Sequence, residues 1–159
     1  MDDEDREMVE LPDRLRGSLV GVIEFPADGV ADVYLPVEEF EQVVVDGRSL
    51  VLFGTTGLSG TLLLDVRSGS VVFRVQGSLQ LGVVNSSVDA FNRCLEVFSE
   101  KLEALDEGIT EDEDELDALN NRIAREMEKE FRRIDGGFYS EQNFWYELRW
   151  GVANGDFSG

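Results

Sequence analysis

The chain has 159 residues with 34 acidic and 14 basic side chains, and its formal net charge is −20 at pH 7. It contains no histidine and one cysteine, Cys94. The composition therefore excludes histidine-dependent catalytic relays, an internal disulfide and a cysteine-rich zinc site. The charge opposes binding to nucleic acid and to anionic membranes. We expect a cytoplasmic protein of one domain, residues 1–159, with an acidic tail at 1–10 and a loose tail at 154–159.

The acidic residues are concentrated in two blocks. Residues 2–10 hold six acids and one arginine, and residues 100–117 hold ten acids and one lysine. Blocks of like charge are typical of solvated segments, and some of them are interaction surfaces. Adaptation to concentrated salt would also raise the acidic content, but it accounts less well for charge in blocks.

The first half of the chain predicts strands. Apolar and β-branched runs lie at residues 19–25, 31–35, 43–45, 50–53, 61–66 and 71–75. Asp46-Gly47 and residues 67–70 separate pairs of these runs, and both segments are typical of hairpin turns. The run at 31–35 is expected to stop at Pro36. Short strands joined by tight turns indicate an antiparallel sheet.

The second half predicts helices, because apolar residues recur at spacings of three and four. The first helix carries its apolar stripe from residue 88 to 105, with Ser86 or Ser87 as its N-cap, and Gly108 ends it. The second begins at a capping box, Thr110-x-x-Glu113, and ends at Gly136-Gly137. Two ion pairs at i,i+4 are expected on it, namely Arg122–Glu126 and Glu128–Arg132.

A last short helix is expected after Ser140, with Phe144 and Leu148 on one face. Trp145 and Trp150 are expected to cover the core. Strands followed by helices indicate the α+β class, here a mainly antiparallel sheet packed against C-terminal helices in a single domain.

Three local features could be interpreted as functional sites, but a structural interpretation is favoured for each. The glycine-rich segment 53–60 lacks the lysine of a P-loop and precedes a strand, so a hairpin loop is favoured. The run 111–115 lacks the glycine and glutamate spacing of a calcium loop, and a solvated helix start is favoured. Cys94 falls beside the apolar stripe, where a small hydrophobic residue is favoured over a nucleophile.

Several segments taken together resemble the SUKH superfamily, and most closely its toxin-immunity group. They cover roughly residues 20–150 and comprise 50–54 (LVLFG), 62–65 (LLLD), 68–72 (SGSVV), 84–87 (VNSS), Phe91, 94–95 (CL) and 144–145 (FW). The resemblance implies an immunity protein that binds a co-encoded bacterial toxin domain, a nuclease or a deaminase, and blocks it without catalysis or cofactor. The matching residues Phe53, Gly54, Asn85, Phe91 and Trp145 look structural. The same superfamily hosts scaffold and regulatory adaptor proteins, which is the alternative function.

The charge distribution suggests where a toxin would bind. A toxin that cleaves RNA or DNA has a basic groove, which an acidic inhibitor can occupy and to which its charge can steer it. The acids of 2–10 are second candidates for the interface. The first candidates are Glu103, Asp106, Glu107, Glu111, Asp112, Glu113, Asp114, Glu115 and Asp117. A carboxylate-dependent hydrolase is a third hypothesis, but no spacing of acids supports it. No catalytic residue, metal or cofactor is expected.

Overall fold

A computed structural model describes residues 6–9, 23–26, 28–31, 33–57, 60–78, 80–140 and 143–157. The strands in these ranges are β1 (Arg6–Val9), β2 (Ile23–Pro26), β3 (Leu35–Val45), β4 (Arg48–Thr56), β5 (Gly60–Asp65), β6 (Val71–Val75) and β7 (Leu81–Asn85). The helices are α1 (Val88–Glu107), α2 (Glu113–Asp135) and α3 (Phe144–Ala153). The predicted α+β class is confirmed. Two compact units, residues 1–92 and 93–159, divide the chain within α1.

Some sequence-based predictions fall on residues beyond these ranges. Residues 19–22 of the first predicted strand lie outside the described residues, and β2 covers its end. The same holds for acids 2–5 and 10, for residues 58–59 of the glycine-rich segment and for residues 158–159 of the tail. The strand β1 at Arg6–Val9 was not predicted, and it pairs antiparallel with β2.

The first unit contains a five-stranded antiparallel sheet in the order β3-β4-β5-β6-β7. The prediction that a strand stops at Pro36 is wrong, because β3 begins at Leu35 and continues through Pro36 with an irregular register before Glu41. A proline removes one backbone donor, and β3 is an edge strand, where that loss is tolerated.

Both predicted hairpin turns are confirmed. Asp46 and Gly47 have φ angles of 50° and 77°, as a two-residue type I′ turn requires, and they join Val45 to Arg48. In the turn between β5 and β6, the Asp65 N–H donates to the Ser70 carbonyl at 2.9 Å. Gly69 there has a φ of 79°, which favours glycine.

Aromatic rings fill the core of the first unit. Phe53 stacks on Phe25 with 4.2 Å between centroids, and Phe91 meets the edges of Phe53 and Tyr34 at 5.5 and 5.8 Å. The Tyr34 hydroxyl donates to the Pro26 carbonyl at 2.7 Å, so this buried polar group is satisfied. Each such ring pair is worth about 0.5–1.5 kcal/mol beyond its buried area.

In the second unit, α1 and α2 run antiparallel. Lys101 of α1 forms an ion pair with Glu126 of α2 at 3.2 Å, and Gly108 lies against Leu119. Further along, Arg93 of α1 and Arg133 of α2 line the same cleft of about 510 Å³. The predicted pair Glu128–Arg132 is present at 3.1 Å. The predicted Arg122–Glu126 pair is wrong, because Glu126 binds Lys101 instead.

The helix α3 packs on α2 through aromatic rings. Trp145 is 1% exposed and lies 5.1 Å from Phe131 and 6.1 Å from Phe98 between centroids. Arg149 of α3 also binds Glu128 of α2 at 3.1 Å. The prediction that both tryptophans cover the core holds for Trp145 but is wrong for Trp150, which is 55% exposed.

The predicted helix starts are right in one case of three. Ser87 caps α1, since its Oγ accepts from the Ala90 N–H at 3.1 Å. The cap of α2 is Asp112 rather than Thr110, and the cap of α3 is Asn143 rather than Ser140. Asn143 reaches the first turn with its Oδ1 while its Nδ2 donates to the Phe138 carbonyl, and a serine hydroxyl cannot span both contacts.

Candidate partner-binding surface

The nine acids predicted to bind a partner lie around the connection between α1 and α2. All nine side chains are exposed. The last two turns of α1 carry Glu103, Asp106 and Glu107, and the connection carries Glu111 and Asp112. The first two turns of α2 carry Glu113, Asp114, Glu115 and Asp117. We call these nine side chains the acidic surface.

A tight connection brings the two helix ends together. The Gly108 N–H donates to the Leu105 carbonyl at 3.2 Å, directly after the last residue of α1. A Cβ atom at Gly108 would lie 2.9 Å from a methyl group of Leu119, so the connection approaches α2 as closely as a glycine allows. Acids from both helices therefore share one end of the helix pair.

Two of the nine acids have structural work inside the connection. Asp112 accepts hydrogen bonds from the N–H groups of Asp114 and Glu115 at 3.0 and 3.1 Å, which makes it the N-cap of α2. The Thr110 hydroxyl accepts from the Asp112 N–H at 3.3 Å and donates to Glu115 at 3.4 Å. Asp112 and Glu115 consequently hold the connection in place.

The other seven carboxylates have no hydrogen bond or ion pair with any side chain in the described ranges. They belong to Glu103, Asp106, Glu107, Glu111, Glu113, Asp114 and Asp117. Lys101, the basic residue within 100–117, is turned to Glu126 and does not neutralise them. The surface thus presents uncompensated negative charge to the solvent.

These carboxylates have opposite effects on stability at the start of α2 and at the end of α1. Glu113, Asp114 and Glu115 lie in the first turn of α2, where the positive end of the helix dipole stabilises them. Asp106 and Glu107 lie in the last turn of α1, which contains no basic residue. Carboxylates at a helix C-terminus oppose the dipole, so these two acids reduce the stability of α1.

Ile109 places an exposed apolar side chain within the acidic surface. It is 45% exposed and lies between Glu107 and Glu111 in sequence. Sequence reasoning missed it, although it is the one large apolar residue between Leu105 and Leu116. An apolar group surrounded by charge is the arrangement of a contact that excludes water inside a polar rim.

The second block of acids, at 2–10, is described only in part. Glu7 lies in β1, where its backbone is paired with Phe25 of β2. Asp2, Asp3, Glu4, Asp5 and Glu10 lie outside the described residues. Whether this block contacts a partner stays a prediction.

The glycine-rich segment forms the connection between β4 and β5, as the hairpin interpretation predicted. β4 extends to Thr56 and β5 begins at Gly60. An open pocket of about 430 Å³ beside it is lined by threonines, Arg74 and glycine backbone. The guanidinium of Arg74 is turned to the Ser78 carbonyl, which fixes the neighbouring turn.

Asp65, the aspartate of the LLLD segment, serves the fold of the sheet. Its carboxylate accepts from the N–H groups of Arg67 and Ser68 at 3.0 and 3.3 Å and from the Arg48 guanidinium. Burial alone would raise the pKa of Asp65, but these hydrogen bonds and the Arg48 charge outweigh it and hold the pKa below its ordinary value. Asp65 therefore closes a turn, and the ion pair ties that turn to β4.

The described residues hold no group of three or more Cys, Asp or Glu side chains arranged to bind a metal ion. Cys94 is buried and forms no disulfide. No helix in the described ranges combines the length and the apolar character that crossing a bilayer demands.

Comparison with known families identifies the chain's relatives. The model of the SUKH-4 immunity protein family matches residues 8–150. The chain belongs to the SUKH-4 immunity protein family. This confirms the SUKH superfamily predicted from the sequence and indicates a toxin-immunity function. Neither the curated proteins nor the solved structures contain a match.

Proposed function

We propose that this SUKH-4 protein is a non-catalytic, cytoplasmic immunity protein that neutralises a cognate toxin domain through charge-complementary contact. The toxin is a nuclease or a deaminase with a basic substrate groove, and the acidic surface occupies that groove. Blocking the groove excludes the nucleic acid, so no chemistry by the immunity protein is required.

The observation that carries this proposal is the pair of carboxylates in the last turn of α1. Asp106 and Glu107 oppose the helix dipole, and no basic residue of that turn offsets them. Charge that reduces the stability of the free protein is expected where it serves binding, because functional sites are often less stable than the rest of a fold.

The magnitude of the expected effect follows from electrostatic steering. Charge complementarity raises association rates by about 10- to 1,000-fold at low salt, and salt screens the effect. The acidic surface therefore sets mainly the association rate. The affinity needs additional buried contacts, and Ile109 is one candidate because it is apolar and exposed among the charges.

The test neutralises charge without disturbing the caps. The variant Glu103→Gln, Asp106→Asn, Glu107→Gln removes three charges and leaves Asp112 and Glu115 intact. A matched control, Glu38→Gln, Glu39→Gln, Glu41→Gln, removes three exposed charges from β3. Association with the purified toxin domain is measured by stopped flow at low and high salt. We expect the first variant to associate about tenfold more slowly at low salt, and the control to change by less than about twofold.

The outcomes separate the parts of the proposal. Equal slowing by both variants would show that net charge matters and that the acidic surface does not. Co-expression with the toxin gene next to this one should rescue bacterial growth. Failure of the unaltered protein both to rescue growth and to bind would refute toxin neutralisation and favour the scaffold or adaptor function.

A further inference from the structure

One aromatic side chain of α3 is more than half exposed. Trp150 is 55% exposed, whereas Trp145 is 1% exposed. Trp150 follows Tyr146 by four residues and Glu147 by three, so the three side chains share one helix face. Tyr146 is half-buried and Glu147 is exposed. We call these three residues the α3 face.

This face is held rigidly. Asn143 caps the start of α3 at 2.8 Å, and Trp145 is fixed between Phe98 and Phe131. Arg149 ties the helix to Glu128 of α2 at 3.1 Å. A rigid aromatic residue loses little conformational entropy on binding, which is why tryptophan and tyrosine are enriched among the residues that dominate interfaces.

The electrostatics of the face select a cationic ligand. The last turn of α3 contains no basic residue, so no side-chain charge there offsets the negative end of its dipole, and its carbonyls accept from the backbone N–H groups of residues 154–156. Glu147 adds a carboxylate, and the one arginine of the helix pairs with Glu128. The guanidinium of that arginine lies 5.9 Å from the centroid of the Tyr146 ring, so the ring open to a further cation is that of Trp150. The face of an indole ring attracts ammonium and guanidinium groups, and it does so better than other aromatic rings.

A second copy of this chain fits the face poorly. Two molecules with a net charge of −20 each repel one another, whereas a basic partner is attracted. Charge complementarity therefore favours the same partner as the one proposed above.

We propose that Trp150, flanked by Tyr146 and Glu147, receives an arginine or lysine side chain of the toxin. This inference rests on the proposed function and adds to it a residue that sets affinity. The acidic surface governs the association rate, and Trp150 governs the dissociation rate.

The first experiment measures binding kinetics of the full-length chain with the purified toxin domain. Trp150→Ala should raise the dissociation rate about 30-fold, the change expected for a dominant interface residue, with the association rate nearly unchanged. Glu147→Gln should raise the dissociation rate a few-fold. The control Val44→Ala removes a 65% exposed apolar side chain of β3 and should leave both rates unchanged.

The second experiment uses tryptophan fluorescence and needs no variant that weakens binding. Trp150 is open to a soluble quencher in the free protein, whereas Trp145 is buried. Toxin binding should shield the quenchable tryptophan in the unaltered chain, and Trp150→Phe should lack the quenchable component from the start. The toxin used should have no tryptophan in its interface, or its tryptophans should be replaced by a non-fluorescent analogue. The fluorescence signal then comes from this chain alone.

The outcomes distinguish the two proposals. If Trp150→Ala binds like the unaltered protein while neutralising the acidic surface slows association, the inference is refuted and the proposed function stands. If Trp150 stays quenchable in a complex that forms normally, the inference is again refuted. If the unaltered chain binds no toxin, both proposals fail. Sedimentation that shows a dimer lost on Trp150→Ala would overturn the inference in favour of self-association.

Discussion

Neutralising the two acids in the last turn of α1 should stabilise the free protein. In Asp106→Asn, Glu107→Gln the side chains keep their size and lose their charge. Each carboxylate at a helix C-terminus costs about 0.3–1 kcal/mol at low ionic strength. Both side chains are exposed, which favours the lower end, so the pair should add about 0.5–1 kcal/mol to the free energy of unfolding. For a chain of this size that raises Tm by roughly 1–4 °C.

The assay is thermal unfolding followed by circular dichroism in dilute buffer and in about 1 M salt, where the Debye length is near 3 Å. The gain should be present in dilute buffer and nearly absent at high salt. Glu113→Gln is the matched control, because it removes a charge from the first turn of α2, where the dipole is favourable. It should lower Tm in dilute buffer.

The two variants are expected to shift Tm in opposite directions, which makes the prediction easy to refute. A loss of stability in Asp106→Asn, Glu107→Gln, or a gain that persists unchanged at high salt, would contradict the electrostatic reasoning. A gain in both variants would mean that crowding of like charge dominates and that the helix dipoles do not decide the outcome. The stabilised variant is also expected to protect cells less well against the toxin, since it lacks two charges of the acidic surface.

Two further predictions concern residues that hold the fold. Asp112→Ala removes the N-cap of α2 and should lower the free energy of unfolding, measured by urea titration, by about 1 kcal/mol. In the control Glu111→Ala, the free energy of unfolding should stay within about 0.5 kcal/mol of that of the unaltered chain. Since the pKa of Asp65 lies below its ordinary value of 3.8, its ionised form stabilises the fold above that pH, and the contribution is lost as pH falls through the lower native pKa. Stability curves of Asp65→Asn and the unaltered chain should therefore converge in acid, and a difference independent of pH would contradict this.

The helices were predictable because one pattern dominates them. Apolar residues at spacings of three and four identify α1 and α2, and the observed elements end at the predicted glycines. The caps were missed where two polar residues compete for one helix start. Thr110 resembles the start of a capping box, yet Asp112 stands one residue before α2, and its carboxylate reaches two N–H groups of the first turn. Sequence spacing cannot identify which of the two residues caps the helix, because the backbone conformation of the connection determines it.

The strand β7 was missed for a different reason. Gly82 interrupts its apolar run and gives it the look of a turn. A Cβ atom at Gly82 would lie 2.1 Å from the Phe73 ring on β6, so the glycine makes room for an aromatic side chain of the next strand. Such a reason for a glycine inside a strand appears only when the neighbouring strand is known.

The acidic residues of the candidate site were evident from the sequence, but their surroundings were not. That Lys101 turns to Glu126 depends on how α1 pairs with α2. Ile109 was missed and the placement of Trp150 over the core was predicted wrongly, because exposure is a property of the folded chain. Trp150 is two residues from Leu148 and from Val152, both buried, and the rotation of one helix decides that it faces outward.

The positions of the acids also discriminate between the two explanations of the net charge, which are binding to a basic partner and adaptation to concentrated salt. Residues 35–85, which contain the five-stranded sheet, carry five acids and three bases, whereas residues 100–117 carry ten acids and one base. A protein adapted to concentrated salt gains from acids on every exposed face, since screening is general. Here the sheet is nearly neutral, and the acids collect at the ends of α1 and α2 that meet and in the connection between them. The proposed binding to a basic partner would account for this concentration of acids, whereas general screening by salt would not.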